Sequence, residues 1–493
     1  MKQYELKDDG FVIREYDRCP PFTSFLPGLA GADGIPVWAY YVNRGQGLCS
    51  FGIGNKDNAA MEFSPANLAY EDTARKGFRT FLRCNGSFWE PFSPLEQGEV
   101  HRDFQIYANR FSVEESNAES GLKTQAEYFT VPHEEYGALA RRLSITNLLE
   151  QPVQIEGLDG MARVIPYGLK NSAFKEMANL LKSWTELRNL ENSIPFYTLR
   201  GSTEDSAQVE EIRGGWFYAA FAENSPICPV YDPQAVFGEE TGLSCPVVFR
   251  ENGLNGVLNT PQNFENRIPC GLVPFRSELA PGETFELFTL IGFSESPAAV
   301  NARAAELCSR EYFMKKREEA DALDDRLTDD VDCRTAYPVF NRYIRQCYLD
   351  NFLRGGYPCN FRTADGNVPY YLYSRKHGDP ERDYNFFSIA GEYYSQGNGN
   401  FRDVCQNRRN DIFFHPETGE HNIRLFFSLI QADGYNPLEV CGSTFSVKSG
   451  KEKELEALLL NTGKAQPMAP RFIYSACPNG SNFAVLRYSH NSK

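Results

Sequence analysis

Between Arg375 and Asn410 the chain reads RKHGDPERDYNFFSIAGEYYSQGNGNFRDVCQNRRN, a mixture of acids, bases, amides and aromatic rings denser than any other window. Asp379, Glu381, Asp383 and Asp403 alternate with Arg375, Lys376, His377, Arg382, Arg402, Arg408 and Arg409. Tyr384, Phe386, Phe387, Tyr393, Tyr394 and Phe401 sit among them, beside the amide and glycine run Gln396 to Asn400. A sugar or other polyol asks for this combination: flat rings for its apolar face, and charged or amide groups that each bond two hydroxyls. A solvated, charge-balanced loop is the competing reading. It leaves six large rings without a purpose.

The remaining chemistry is defined largely by exclusion. A net charge of −15 disfavours nucleic acid and anionic membrane surfaces, since phosphate-binding faces need excess Lys and Arg. The charged start MKQYELKDDG has no apolar signal region behind it, and no apolar run approaches a membrane span. Thirteen cysteines without CxxC pairing fit reduced thiols in a cytoplasm rather than a disulfide framework. Six dispersed histidines, none in HxxH or HExxH spacing, give a zinc site little support.

At 493 residues the chain needs two or three domains to position such a site. Up to about residue 290 the pattern is strands and turns. Pro36 to Val42 and Leu48 to Ile53 flank the turn NRGQG, Ala140 to Asn147 precedes Val153 to Ile165, and Ala280-Pro-Gly-Glu283 leads into Thr284 to Phe293. Short runs punctuated by Gly, Pro and Asn predict an enlarged antiparallel β-sandwich. Phe174, Met177, Leu181 and Trp184 mark one amphipathic helix packed on it. Trp216-Phe-Tyr218 reads as core strand rather than a stacking platform.

Ser296-Pro297 signals a helix start, and Val300, Ala304, Leu307 and Met314 give the stripe of a linker helix to Asp330. A further helix carries Val339, Tyr343, Ile344, Cys347 and Phe352 on one face and closes at Gly355-Gly356. Asn422 to Gln431 reads as another, buried helix.

SRKHGD at Ser374–Asp379, ERDYNFFS at Glu381–Ser388 and YYSQGNGNFRDVCQNRRND at Tyr393–Asp411 resemble the inverting glycoside phosphorylases, with 1,2-β-oligoglucan phosphorylase, a relative of cellobiose phosphorylase, the nearest branch. PFTSFLPGLAG (Pro21–Gly31), WAYYVNRGQG (Trp38–Gly47), DGMARVIPYG (Asp159–Gly168) and IQADGYNPL (Ile430–Leu438) extend the likeness. It implies a multidomain β + α fold: a β-sandwich domain over 1–293, a helical linker over 294–330 and the start of an (α/α) toroid over 331–462, before an atypical tail over 463–493. It also implies a glycosyltransferase activity of phosphorylase type, inverting phosphorolysis of a β-glucan oligosaccharide or disaccharide to α-glucose 1-phosphate. Inorganic phosphate is then the co-substrate, with no cofactor and no metal, and a homodimer is compatible with the family.

Within that resemblance Arg402 and Asp403 hold the non-reducing glucosyl unit next to the cleaved bond; an internal ion pair between the two is the alternative. Arg382, Asp383, Tyr394, Gln406 and Asn407 match the motif as substrate-binding candidates without individual roles. The family's general acid lies further along the toroid than any matching stretch here. A toroid of about twelve helices needs on the order of 200–250 residues, and 163 follow Asp330. No Asp or Glu occurs in the 37 residues after Glu456. The expectation is therefore a truncated portion of such an enzyme, inactive alone. Two other readings stand beside it: a non-catalytic carbohydrate-binding protein, and a phosphate-independent glycosidase using acids already present, such as Asp383 with Asp403.

Overall fold

A computed structural model describes residues 3–7, 10–94, 99–202, 207, 211–363, 366–376, 387–443, 447 and 449–454. It is a mixed β and α structure dominated by one eleven-stranded antiparallel sheet. Strand order runs Tyr4–Lys7, Gly10–Arg14, Val100–Ile106, Arg110–Asn117, Leu122–Thr130, Gly137–Asn147, Thr284–Ser294, Gly215–Ala222, Phe196–Leu199, Thr185–Arg188, with Ser225–Pro226 beside Gly215–Ala222. A four-stranded sheet (Gly271–Leu279, Val153–Met161, Phe78–Cys84, Ser87–Trp89) and a three-stranded one (Thr23–Phe25, Trp38–Val42, Leu48–Gly52) accompany it.

The two-residue period of strand Gly137–Asn147 shows why the large sheet is buried on both faces. Leu139, Leu143 and Ile145 point into one core, against Val153, Ile155, Val273 and Phe275 of the small sheet. Ala138 and Ala140 belong to a second core with Phe129, Phe217, Phe221, Phe288 and Leu290. Helices cover that second face, through Val300, Leu307, Tyr312, Phe313 and Ala320. Trp216, Phe217 and Tyr218 are buried core strand, as their sequence suggests.

The hydrophobic runs on either side of Glu150-Gln-Pro152 and of Ala280-Pro-Gly-Glu283 are strands, but neither turn closes a hairpin. Each carries the chain from one sheet to the other, because Gly137–Asn147 pairs with Thr284–Ser294 in the large sheet while Val153–Met161 pairs with Gly271–Leu279 in the small one. Asn147 joins the two arches. Its side-chain amide donates to the Gln151 and Leu279 carbonyls at 2.8 and 3.0 Å, and its backbone exchanges bonds with Glu283 and Gly282.

The helical linker is three helices rather than one: Pro297–Ala302, Ala304–Leu307 and Arg310–Thr328. Ser296 caps the first by accepting from the Ala299 N–H at 3.3 Å, and Ser309 caps the third by accepting from Tyr312 at 3.4 Å. Glu134, on the sheet side, accepts from Arg303 (2.6 Å), Lys316 (2.7 Å) and the Tyr312 hydroxyl (2.8 Å), which fixes these helices to the sheet.

Beyond Tyr337, and up to Val440, the described α-helices are Pro338–Gly355, Phe401–Arg408, Asp411–Phe414 and His421–Ser428. Gly356 ends the first with φ 94°, a position where a Cβ would lie 2.5 Å from Tyr371 Cβ. A hairpin of Tyr357–Thr363 with Gly366–Leu372 follows, which sequence periodicity missed. Three apolar stripes differ from expectation. On helix Pro338–Gly355, Phe352 is buried while Val339 and Tyr343 of the same expected face are exposed. The Asn422 to Gln431 stretch is not a buried helix: Phe426 is buried, yet Ile423 and Phe427 are exposed, because among the described residues nothing packs on that side. Helix Asn171–Leu181 breaks at Met177 (φ −129°), so Phe174 and Leu181 reach the core while Met177 and Trp184 stay outside. The tail over 463–493 lies outside the described residues.

Candidate functional site

Helix Phe401–Arg408 carries four of the sequence-predicted residues. Its inner face is Val404 and Arg408, both buried. Arg408 donates from Nε to the Gly355 carbonyl and lies 3.5 Å over the Tyr371 ring, where burial pulls its pKa down to about 10. The outer face presents Arg402, Asp403, Gln406 and Asn407, at the spacing of adjacent helical turns. Arg402 is almost wholly exposed, and its Nε and Nη2 both reach Asp403 Oδ1 at 3.2 Å. Asn400 donates to Asp403 Oδ2 at 3.3 Å, and Asn407 turns its amide back to the Asp403 carbonyl at 2.8 Å. Gln406 is exposed. Asp403 thus stands in the first turn, where a helix N-terminus favours negative charge, with both oxygens oriented by neighbours.

Tyr394 is not on this helix. It lies in the loop 390–396, with φ 53°; its N–H donates to the Ala32 carbonyl at 2.7 Å, and its own carbonyl accepts from the Tyr370 hydroxyl at 2.9 Å. Arg382 and Asp383 lie outside the described residues, so the structure gives no account of them.

The motif segments, distant in sequence, meet along one seam. Arg375, buried, donates to the Pro27 carbonyl. Phe387 packs edge-on against Trp38 and Phe25 at 5.0 and 5.1 Å. Ile389 N–H bonds the Gly54 carbonyl at 2.9 Å. Strand Gly399–Asn400, just before the helix, pairs with Glu439–Val440, and the Phe401 N–H bonds Leu438 O at 3.1 Å. By contrast Asp159, inside the DGMARVIPYG stretch, belongs to the sandwich core rather than the seam.

Behind the helix the structure adds residues that were not singled out in the sequence. A cleft of about 180 Å³ opens between helix Pro338–Gly355 and residues 407–415, lined by Asn351, Asn407, Asn410, Asp411, Tyr348 and His415 among others. Asp411 accepts from the Tyr371 hydroxyl at 2.8 Å and from Asn422 at 2.9 Å. Burial nevertheless raises its pKa from the ordinary aspartate value, against those two donors and Arg408. The Tyr348 hydroxyl sits 3.0 Å from His415 Nε2 and 3.1 Å from Asp330 Oδ2. Asp411 closes the longest motif of the sequence, and that position was the available signal; His415 and Tyr348 lie outside every motif. No cluster of metal-ligating side chains occurs among the described residues. No helix among them is long and apolar enough to cross a membrane.

No protein-family model and no curated protein matches the chain. Among solved structures it is similar to a bacterial glucoamylase complexed with acarbose, at TM-score 0.38 and 10% identity over 86% of this chain and 53% of that one. It is also similar to a protein described as a kojibiose phosphorylase from the human microbiome, at TM-score 0.30 and 7% identity over 73% of this chain and 40% of that one. A polysaccharide lyase matches at TM-score 0.29 and 9% identity, over 58% of this chain and 34% of its own length. The chain thus spans about half, or less, of the structures it matches, and likenesses this distant carry no argument about its activity.

Proposed function

We propose that the chain is a carbohydrate-active protein of the inverting glycoside phosphorylase type, and that helix Phe401–Arg408 presents its glucosyl-binding side chains. The observation that carries this reading is the convergence of the phosphorylase-like segments: residues 21–31, 38–47, 374–376, 387–388, 393–411 and 430–438 build one seam ending in that helix. A solvated loop needs no such scaffold.

In this reading Asp403 accepts bonds from neighbouring hydroxyls of the non-reducing glucosyl unit, and Arg402 donates to the same ring. The pair in the free protein is an internal ion pair, and a bound sugar takes over part of each partner. Because Arg402 is nearly fully solvated, that exchange costs little. Gln406 and Asn407 extend the polar row along the helix, and Arg382 and Asp383 are proposed as further substrate contacts from their motif alone. Phosphate, already anionic, attacks the anomeric carbon opposite the leaving oxygen while a carboxylic acid protonates that oxygen. Phosphate needs no basic residue to activate it. A cytoplasmic setting is proposed on the same footing, from twelve described cysteines that are all free.

The test incubates the purified chain with β-1,2-glucan oligosaccharides or cellobiose, with and without inorganic phosphate. Phosphate-dependent release of glucose 1-phosphate supports the phosphorylase. Binding without turnover supports either a portion of a phosphorylase that is inactive alone or a carbohydrate-binding protein, and phosphate-independent hydrolysis supports a glycosidase. Absence of any saccharide binding overturns the carbohydrate reading.

A further inference from the structure

At the rim of the seam, 390–396 forms a loop closed on itself: the Ala390 N–H bonds the Gln396 carbonyl at 3.1 Å, and the Ser395 hydroxyl bonds the Ala390 carbonyl at 2.5 Å. Its tip presents Tyr393 and Tyr394, 42% and 48% exposed. Two bonds hold the tip from below, Tyr394 N–H to Ala32 and Tyr373 N–H to Ser395, both backbone to backbone. The backbone that carries these exposed rings is thus set before any ligand arrives, and the Tyr394 ring meets Tyr370 edge-on at 6.5 Å.

Beside them lies Asp33, with 71% of its side chain exposed, bonded to His133 Nδ1 at 2.5 Å. That pairing depends on Gly31. Its φ is +80°, and a Cβ there would lie 2.5 Å from the His133 ring, so only glycine lets the imidazole settle against the segment. The Tyr393 phenol feels this neighbourhood: after burial, Glu135, Asp33 and Glu134 raise its pKa, and Arg303 opposes them. Glu134 is already satisfied by Arg303 and Lys316, and Asp33 by His133. The surface therefore offers rings and oriented acceptors, and the cations nearest to them among the described residues, Arg303 and Lys316, are already paired with Glu134.

We propose that Tyr393 and Tyr394, with Asp33 oriented by His133, form an outlying subsite that binds a neutral sugar unit of an oligosaccharide, stacking one ring face and accepting from its hydroxyls. This rests on the carbohydrate reading of helix Phe401–Arg408 and extends it. From Tyr394 to Asn400, the residue before that helix, the chain takes six steps, at most roughly 22 Å. One oligosaccharide chain spans a gap of up to that length.

The experiment is calorimetric titration of the full chain with glucose, the β-1,2-linked disaccharide and the β-1,2-linked hexasaccharide. The wild type binds the hexasaccharide more tightly than the disaccharide. Tyr393→Ala and Asp33→Asn each weaken the hexasaccharide roughly tenfold or more and leave the disaccharide unchanged. Tyr4→Ala, at an exposed tyrosine on the first strand of the large sheet, changes neither. Asp403→Ala weakens both sugars. If the wild type binds both sugars but Tyr393→Ala and Asp33→Asn bind as the wild type does, the subsite falls and the helix site stands. If a lysine-rich peptide binds the two tyrosines and the hexasaccharide does not, the subsite is a cation site and the proposal is wrong. If no saccharide binds the wild type, both readings fall together.

Discussion

Arg141 and Asp159 face each other across the sandwich core, one on each sheet, with 1% and 0% of their side chains exposed. Arg141 also donates to Gln46 Oε1 at 2.6 Å and to the Tyr128 hydroxyl at 3.1 Å, and Thr80 donates to Asp159 Oδ1 at 2.7 Å. Burial works against the guanidinium charge, but Asp159 and its hydrogen bonds hold the pKa above the usual arginine value. The pair is a clasp between layers that neutral residues surround.

Removing one half leaves the other charged and dry. Asp159→Ala is expected to destabilise the fold by about 3–5 kcal/mol in urea unfolding. The double variant Arg141→Met/Asp159→Leu loses less than either single change, since no charge is stranded. Additive losses would show that the two do not form one unit.

Asp324, in helix Arg310–Thr328, sets a pH dependence. It is buried, and its Oδ1 meets no hydrogen-bond partner among the described residues. Burial first, then Asp325 and Asp321, push its pKa to about 7 from 3.8, against Arg345 and Arg342. The folded value is the higher one, so the unfolded chain gives up this proton first as pH rises. Stability from this group is complete below about pH 4 and falls away up to about pH 7, by at most about 4 kcal/mol. Asp324→Asn is expected to match the wild type near pH 4 and to melt higher at pH 7.5. Parallel melting curves across that range would contradict it.

Asp403→Ala separates binding from folding. Its partner Arg402 is so exposed that the ion pair contributes less than about 1 kcal/mol to stability. The melting temperature should barely move, while saccharide binding or turnover drops by two orders of magnitude or more, the usual loss of a charged bond to substrate. Intact function in a folded variant would remove Asp403 from the site.

The helices 297–331 are expected to belong with the sandwich in folding. A fragment of residues 1–294 uncovers Phe129, Phe221, Phe288 and Leu290, a contiguous apolar patch of the kind that promotes association. A fragment of residues 1–331 keeps Phe313, Tyr312 and Leu307 over them. Scanning calorimetry should give one sharp transition for the longer fragment and a broad or aggregating one for the shorter.

The β architecture is legible because its signals are local: the apolar runs Ala140 to Asn147 and Thr284 to Phe293, and the turn residues beside them. The Ser296-Pro297 start was equally clear. The exchange of strands between sheets at Glu150 and Ala280 was not, since a turn motif says nothing about which sheet receives the chain. For the candidate site, the motif pointed to Arg402, Asp403, Gln406, Asn407 and Tyr394, without showing that the first four share the helix Phe401–Arg408. It could not reveal that Asp33 and His133 approach Tyr393, because that proximity depends on two loops meeting across 260 residues of sequence. Nor could periodicity tell which apolar stripes would be covered: Phe174 and Phe427 look alike in sequence, but among the described residues only the first is packed into a core.

The arches joined by Asn147 have a consequence for biosynthesis. Strand Gly137–Asn147 pairs on one side with a strand that precedes it, and on the other with Thr284–Ser294; Gly137 meets Phe293, 156 positions later. At about 5–20 residues per second, a ribosome needs about 8–30 s to supply that partner. Throughout this interval the nascent chain carries an open strand edge flanked by core residues, the kind of edge on which foreign strands add. Yield of folded protein should therefore depend on elongation rate and on chaperones that shield the nascent edge.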